Sequence, residues 1–198
     1  MMRPDQFLVS KIADEGRWLE IREHGVSATE VAHARTPAGH KKVIQTKLFG
    51  SNITDNAYMR FGREQEYPIA MWLKDEFGVM PNDWTIAHAE NPHHRATPDG
   101  LSLDHLLISE IKTTGKDFDG EVPVGYMRQI QWQMYVTGTN DCIFAWMLRV
   151  EGEHGFIPGW FEPKTLWVKR DDEHIGELVK TANKIWKEVQ DGRSKQNG

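Results

Sequence analysis

Between Trp84 and Lys112 the chain changes its hydrophobic period, and this change limits the fold more than any other feature. WTIAHAE, RATPDGLSL and LLISEIK are short, rich in strand formers and bounded by turn residues. Asp104 and His105 form a short connection between the last two, which predicts a β-hairpin. Helical patterns lie on both sides. Upstream, residues 1–35 read as a helical segment, with Asp14 as a cap before EGRWLEIREHG, Gly25 as a stop, and Ser27 with Glu30 as a capping box opening SATEVAHA. TPAGHKK reads as a loop, and residues 54–77 as a helix in which Pro68 predicts a kink or boundary. Downstream, YMRQIQWQMYVTG reads as a helix, DCIFAWMLRV as a buried strand, and GWFEPKTLWVKR as carrying another. DDEHIGELVKTANKIWKEVQ is an amphipathic helix with Ile175, Leu178, Val179, Ala182, Ile185 and Trp186 on one side. The expected fold is α/β, a small central mixed sheet flanked by helices. Residues 1–198 read as a single domain, and 192–198 as a disordered tail.

A chain of 198 residues, 39% hydrophobic, buries about 70% of its unfolded surface and needs no cross-link to fold. The single Cys142 excludes an internal disulfide. No apolar run approaches the roughly 18 residues of a spanning helix, and MMRPDQFLVSK lacks the apolar stretch of a signal peptide. A cytoplasmic protein without a membrane anchor is therefore expected. The formal charge of −5 argues against a polyanionic partner only weakly, because carboxylates gathered to hold divalent cations are negative at the very place where a phosphate docks.

The sharpest constellation is TPDG at 97–100 followed by SEIK at 109–112. Glu110 and Lys112 are two apart on a strand, so both side chains share a face, while Ile111 points the other way. Asp99 sits at the turn entering the preceding strand. Two carboxylates converging across a hairpin suit a hard divalent cation such as Mg²⁺, which takes oxygen ligands and keeps several waters. A lysine beside them can activate an attacking water or neutralise a scissile phosphate. This is equipment for metal-assisted hydrolysis of a phosphate ester. The same residues also suit a plain turn followed by a charge-paired surface strand. Gln129 and Gln133, four apart on the predicted helix with Gln131 between them, read either as a solvated polar face or as part of the same site. For the adjacent His93 and His94 a structural or DNA-proximal role is favoured over metal ligation, because neighbours on a strand face opposite ways.

The order Gly62-x-x-x-Glu66, TPDG, Glu110-x-Lys112 and VPVGYMRQIQWQMYVTG, preceded by WLEIREHGVSATEVA, resembles the phage lambda-type exonuclease and YqaJ-like viral recombinase family within the PD-(D/E)xK nucleases. The likeness spans roughly residues 17–150. It implies a restriction-endonuclease-like central mixed β-sheet flanked by helices. It further implies Asp99 and Glu110 as metal ligands with the Ile111 carbonyl, and Lys112 as the residue activating water. Glu66, chosen over Glu64 by the glycine spacing, matches the helical carboxylate near the metal, and Gln129 the glutamine that positions the nucleophile. Arg22 and Thr29 match positions that bind a terminal 5′ phosphate. The implied function is Mg²⁺-dependent 5′-to-3′ exonuclease action on double-stranded DNA ends, with Mn²⁺ as a substitute ion. A 3′ overhang for recombination, a homotrimer and a single-strand annealing protein as partner are implied as well. The rivals are an endonuclease or repair-type nuclease of the same superfamily, and a non-catalytic DNA-end-binding module. One cysteine cannot supply the four thiolates of an iron–sulfur nuclease.

Overall fold

The computed structural model describes the backbone of residues 6–11 and, with side chains, residues 21, 23–50 and 54–196. The elements run β1 (Gln6–Lys11), α1 (Ala28–His33), α2 (Pro37–Phe49), α3 (Ala57–Phe77), β2 (Val79–Pro81), β3 (Trp84–His88), β4 (Arg95–Ala96) and β5 (Gly100–Ser102). They continue as β6 (Leu107–Thr114), α4 (Val124–Thr137), β7 (Asp141–Gly152), β8 (Gly155–Pro158), β9 (Lys164–Lys169) and α5 (Asp172–Gln196). The main sheet has the order β2-β5-β6-β7-β8, with β9 also paired to β7, and a smaller sheet has the order β1-β3-β4. β5 and β6 form the expected antiparallel hairpin, whereas β6 and β7 are parallel and joined through α4. The sheet is therefore mixed, as expected, and helices cover both of its faces.

Period-two alternation decides which helix covers which face. Ile111 of β6 with Ile143, Ala145 and Met147 of β7 packs under Ile69, Ala70 and Leu73 of α3. Ile108 with Cys142, Phe144 and Trp146 packs under Ile130 and Met134 of α4. Burying a side chain such as Phe144 or Ile130 contributes about 1.5–3 kcal/mol. Glu110 and Lys112 share the parity of Ile108, so the sheet face that carries them is the one beneath α4. A third cluster joins α1, α4 and α5 through Val31, Trp132, Leu178 and Ile185. The expected core positions Trp132, Met134, Trp146 and Met147 are all buried.

Several elements depart from the sequence reading, each for a local reason. Residues 6–11 form a strand paired antiparallel to β3, not a helix, because QFLVSK carries the strand formers Phe7 and Val9 and the ladder to β3 satisfies its backbone. The expected loop TPAGHKK opens α2. Thr36 caps it by accepting from the Gly39 amide at 3.1 Å, and Pro37 stands at the first helical position, where its missing N–H costs nothing. α3 runs through Pro68 without ending. The lost bond and clash cost about 3 kcal/mol, which the burial of Ile69, Ala70 and Leu73 just beyond offsets. β7 extends into a hairpin with β8 that short-range patterning did not indicate, and α5 extends to Gln196. The reading of Asp14 and of half of WLEIREHG, residues 18–20 and 22, falls outside the described residues.

Candidate functional site

Asp99 precedes Gly100 at the mouth of β5, and its position is set by two bonds to β6. Its amide donates to the Ser109 carbonyl at 3.1 Å, and its Oδ2 accepts from the Ile111 amide at 2.6 Å. The glycine that follows is obligatory here. A Cβ at position 100 would lie 2.4 Å from Ser109 Oγ and 2.8 Å from Val79 Cγ1, so only Gly lets β5 sit this close to its neighbours.

Glu110 stands in the middle of the sheet with no exposed surface. A carboxylate there must be paired and hydrogen-bonded. Lys112 Nζ donates to its Oε1, and Gln133 Nε2 donates to its Oε2 at 2.7 Å. The Lys112 ammonium also lies 5.5 Å from the centre of the Tyr126 ring. Burial pushes the Asp99 carboxyl well above the usual carboxylate range, and the Glu110 charge adds to this against the opposing pull of Lys112. Burial alone would lower the Lys112 ammonium, but Glu110 and Asp99 outweigh it and raise it. Glu66, on α3, is raised by desolvation and by Glu110, with Lys112 opposing. Asp99, Glu110, Lys112 and Glu66 therefore form one electrostatically coupled group. Both Glu64 and Glu66 are exposed on α3, and of the two it is Glu66 whose charge acts on Asp99.

Two or three carboxyl groups facing one ammonium leave a buried excess of negative charge. That excess fits a hard divalent cation, which Asp99, Glu110 and the Ile111 carbonyl would hold, with Glu66 near it. Among the described residues no three acidic, histidine or cysteine side chains converge as a ready cage. A cation that keeps several waters needs no such cage.

Beside this group opens a cleft of about 130 Å³, whose lining includes Thr29, Thr85, Arg95, Thr97, Gln129 and Gln133. Thr29 is carried there by α1, whose start is fixed by the expected capping box between Ser27 and Glu30. Val26 bridges to His94, and Arg128 of α4 donates to the Val31 carbonyl at 3.1 Å, tying α1 down. Thr85 and Thr97 join their hydroxyls at 2.9 Å on the cleft wall. Arg22 lies outside the described residues; Ile21 and Gly25 line the same cleft. Sequence reasoning did not single out Thr85, Thr97 or Tyr126, which no spacing rule marks. His94 takes a structural place: it is fully buried between Tyr135 Oη at 3.1 Å and Asn183 Oδ1 at 3.0 Å.

The profile of the YqaJ-like viral recombinase domain matches residues 17–140. Among solved structures, an alkaline exonuclease from Laribacter hongkongensis, LHK-Exo, superposes with a TM-score of 0.74 at 24% identity. That match covers 92% of this chain and 96% of the other. The same protein in complex with dAMP gives 0.70 at 23% identity, covering 91% and 93%. A phage-related exonuclease from Haemophilus somnus 129PT gives 0.66 at 16% identity, covering 87% and 96%. These likenesses show that the fold is shared. Comparison with curated protein sequences gave no match.

Proposed function

The chain belongs to the YqaJ-like viral recombinase domain family, and from that premise we propose that it is a Mg²⁺-dependent exonuclease acting on double-stranded DNA. It degrades one strand from the 5′ end and leaves a 3′ overhang for recombination. The observation that carries this reading is the coupled group of Asp99, Glu110, Lys112 and Glu66 opening beside the cleft at Thr29. The proteins that share its fold, an alkaline exonuclease and a phage-related exonuclease, favour the same direction.

In this mechanism Asp99, Glu110 and the Ile111 carbonyl would hold the cation, for which Mn²⁺ can substitute. Bound there, a divalent cation would supply Lewis-acid polarisation of the phosphate and a more acidic water. Lys112 orients and activates the attacking water and offsets charge on the scissile phosphate. Gln129 positions the nucleophile from the cleft wall, and Glu66 is the helical carboxylate near the metal and the water. Arg22 and Thr29 receive the terminal 5′ phosphate, charge-assisted bonds from the guanidinium giving both attraction and orientation. The protein works as a homotrimer on DNA ends alongside a single-strand annealing protein, and residues 1–198 act as one domain.

Linear duplex DNA labelled at the 5′ or the 3′ ends, incubated with and without Mg²⁺, tests the proposal. The 5′ label is expected to be released first, and only with the metal. Asp99→Ala should abolish release while circular dichroism shows the fold retained, and Lys112→Ala should cut turnover while end binding persists. Early loss of the 3′ label, or cutting of circular duplex, would assign the site to an endonuclease or repair-type enzyme. End binding with no hydrolysis under any divalent ion would make the chain a binding module.

A further inference from the structure

Three glutamines alternate along α4 at 129, 131 and 133, and the structure gives each a different environment. Gln131 spends both ends of its amide on structure: Nε2 donates to the Lys169 carbonyl at 2.8 Å, and Oε1 accepts from the Asp171 amide at 2.8 Å. It pins α4 to the junction of β9 and α5. Gln129 is half-buried and lines the cleft. Gln133 is 1% exposed, and among the described residues it is the glutamine whose amide reaches a carboxylate of the candidate metal site.

We propose that Gln133 is the positioning residue of the Glu110 carboxylate, holding the oxygen that faces α4 so that Glu110 keeps its place for a divalent cation. The proposal rests on the cation-site reading above. The orientation of the amide follows from its partner. The end of Gln133 that meets Glu110 Oε2, at 2.7 Å, is the NH₂ group, which donates to it. Lys112 Nζ holds the other oxygen. With one donor on each oxygen the carboxylate plane is defined from two directions, and its remaining lone pairs are left for a metal. Without Gln133, nothing in α4 opposes rotation of Glu110 into a full ion pair with Lys112, which would draw both groups from their working positions.

The same argument turns the Gln133 carbonyl away from Glu110. That oxygen is buried and has no hydrogen-bond partner among the described residues, and the side chain lines the cleft with Thr29, Thr97 and Gln129. A buried acceptor without a donor accepts from the water or substrate group that enters beside it. Gln133 thus joins the cleft to the carboxylate through a single rigid amide. Partners of metal ligands of this kind change metal affinity or activity about 10–100-fold when removed.

The test uses the full chain and Mn²⁺ as probe. Calorimetric titration without DNA gives metal affinity, single-end digestion gives kcat and KM, and thermal melting gives stability. Gln133→Met, which keeps the length and removes both polar atoms, is expected to weaken Mn²⁺ binding about 10-fold or more and to lower kcat similarly with KM for DNA ends unchanged. Gln133→Asn, one carbon too short to reach Glu110, should reproduce that loss and covers the case in which the methionine variant does not fold. Gln131→Met should lower the melting temperature and leave metal affinity untouched, which separates positioning from mere packing. Wild-type affinity and kcat in folded Gln133→Met or Gln133→Asn, with affinity lost in Asp99→Ala, would overturn the proposal alone. Unchanged affinity in Asp99→Ala as well would overturn the cation site itself, and the proposal with it.

Discussion

A histidine with no exposed surface, held between a tyrosine hydroxyl and an asparagine carbonyl, has to stay neutral in the fold. Burial pushes His94 down to about 4 from its usual 6.5, and the neighbouring His93 and His88 add to the effect against the bond to Asn183. The ordinary value applies once the chain unfolds. Between about pH 6.5 and 4 the unfolded chain therefore binds a proton that the folded one refuses, and stability falls as pH falls through that window. Above it this contribution is constant. The His94 contribution is expected to fall by about 2 kcal/mol from pH 7.5 to pH 5, while the raised Asp99 and Glu66 carboxyls act in the opposite sense, so it is read as the difference in urea stability between the wild type and His94→Gln across that range. A difference that stays the same from pH 7.5 to 5 would contradict the assignment. At this scale the sequence was informative about chemistry and less so about reach. Asp99, Glu110 and Lys112 could be found because strand alternation and a short hairpin leave little freedom, although the connection runs over four residues, 103–106, and not only Asp104 and His105. Gln129 and Gln133 could not be separated, because a four-residue spacing puts both on one helix face. Which of them meets Glu110 depends on how α4 is placed along the sheet, and that is set by packing of Ile130 and Met134 on Phe144 and Trp146.

Elements were legible where the apolar pattern was strong, as in α4, β6 and β7, or where a capping box marked the start, as in α1. They were misread where capping chemistry carried the signal alone. α2 has a single fully buried side chain, Val43, so its helical period is faint and its start is announced only by Thr36 and Pro37. The hairpin of β5 and β6 shows the opposite limit, a turn readable from sequence whose tightness was not. Gly100 faces Ser109 in register, and Ser109 Oγ is buried without a partner among the described residues. Gly100→Ala should cost about 1–3 kcal/mol through overpacking against Ser109 and Val79, and should lower hydrolysis because Asp99 moves with it. Ser109→Ala removes an unsatisfied hydroxyl and is expected to leave stability equal or higher. In the double variant the loss should shrink without vanishing, since the contact with Val79 remains. Urea unfolding of the three variants measures this coupling directly, and strict additivity would refute the proposed clash.

At the scale of the whole molecule the difficulty is charge. The chain carries −5, and many of its outward cations are already engaged: Arg63 with Asp55, Lys164 with Asp117, Lys169 with Asp141, and Lys180 with Glu177. A single subunit of this kind exerts little long-range pull on DNA, so sustained digestion needs the duplex to be held by topology or by a locally positive channel. A closed ring of three subunits, the assembly proposed above, would meet that need by threading the strand and not by attracting it. The expected solution mass is then about three times 22.8 kDa by light scattering. Rings that hold their substrate topologically should remove many nucleotides per encounter after unlabelled competitor duplex is added. That run length should depend only weakly on salt once digestion has begun, while initial end capture falls steeply as salt rises. A strictly monomeric species that stays processive under the same competitor would refute the ring, and a monomer that dissociates after each cut would point to the endonuclease or repair-type alternative.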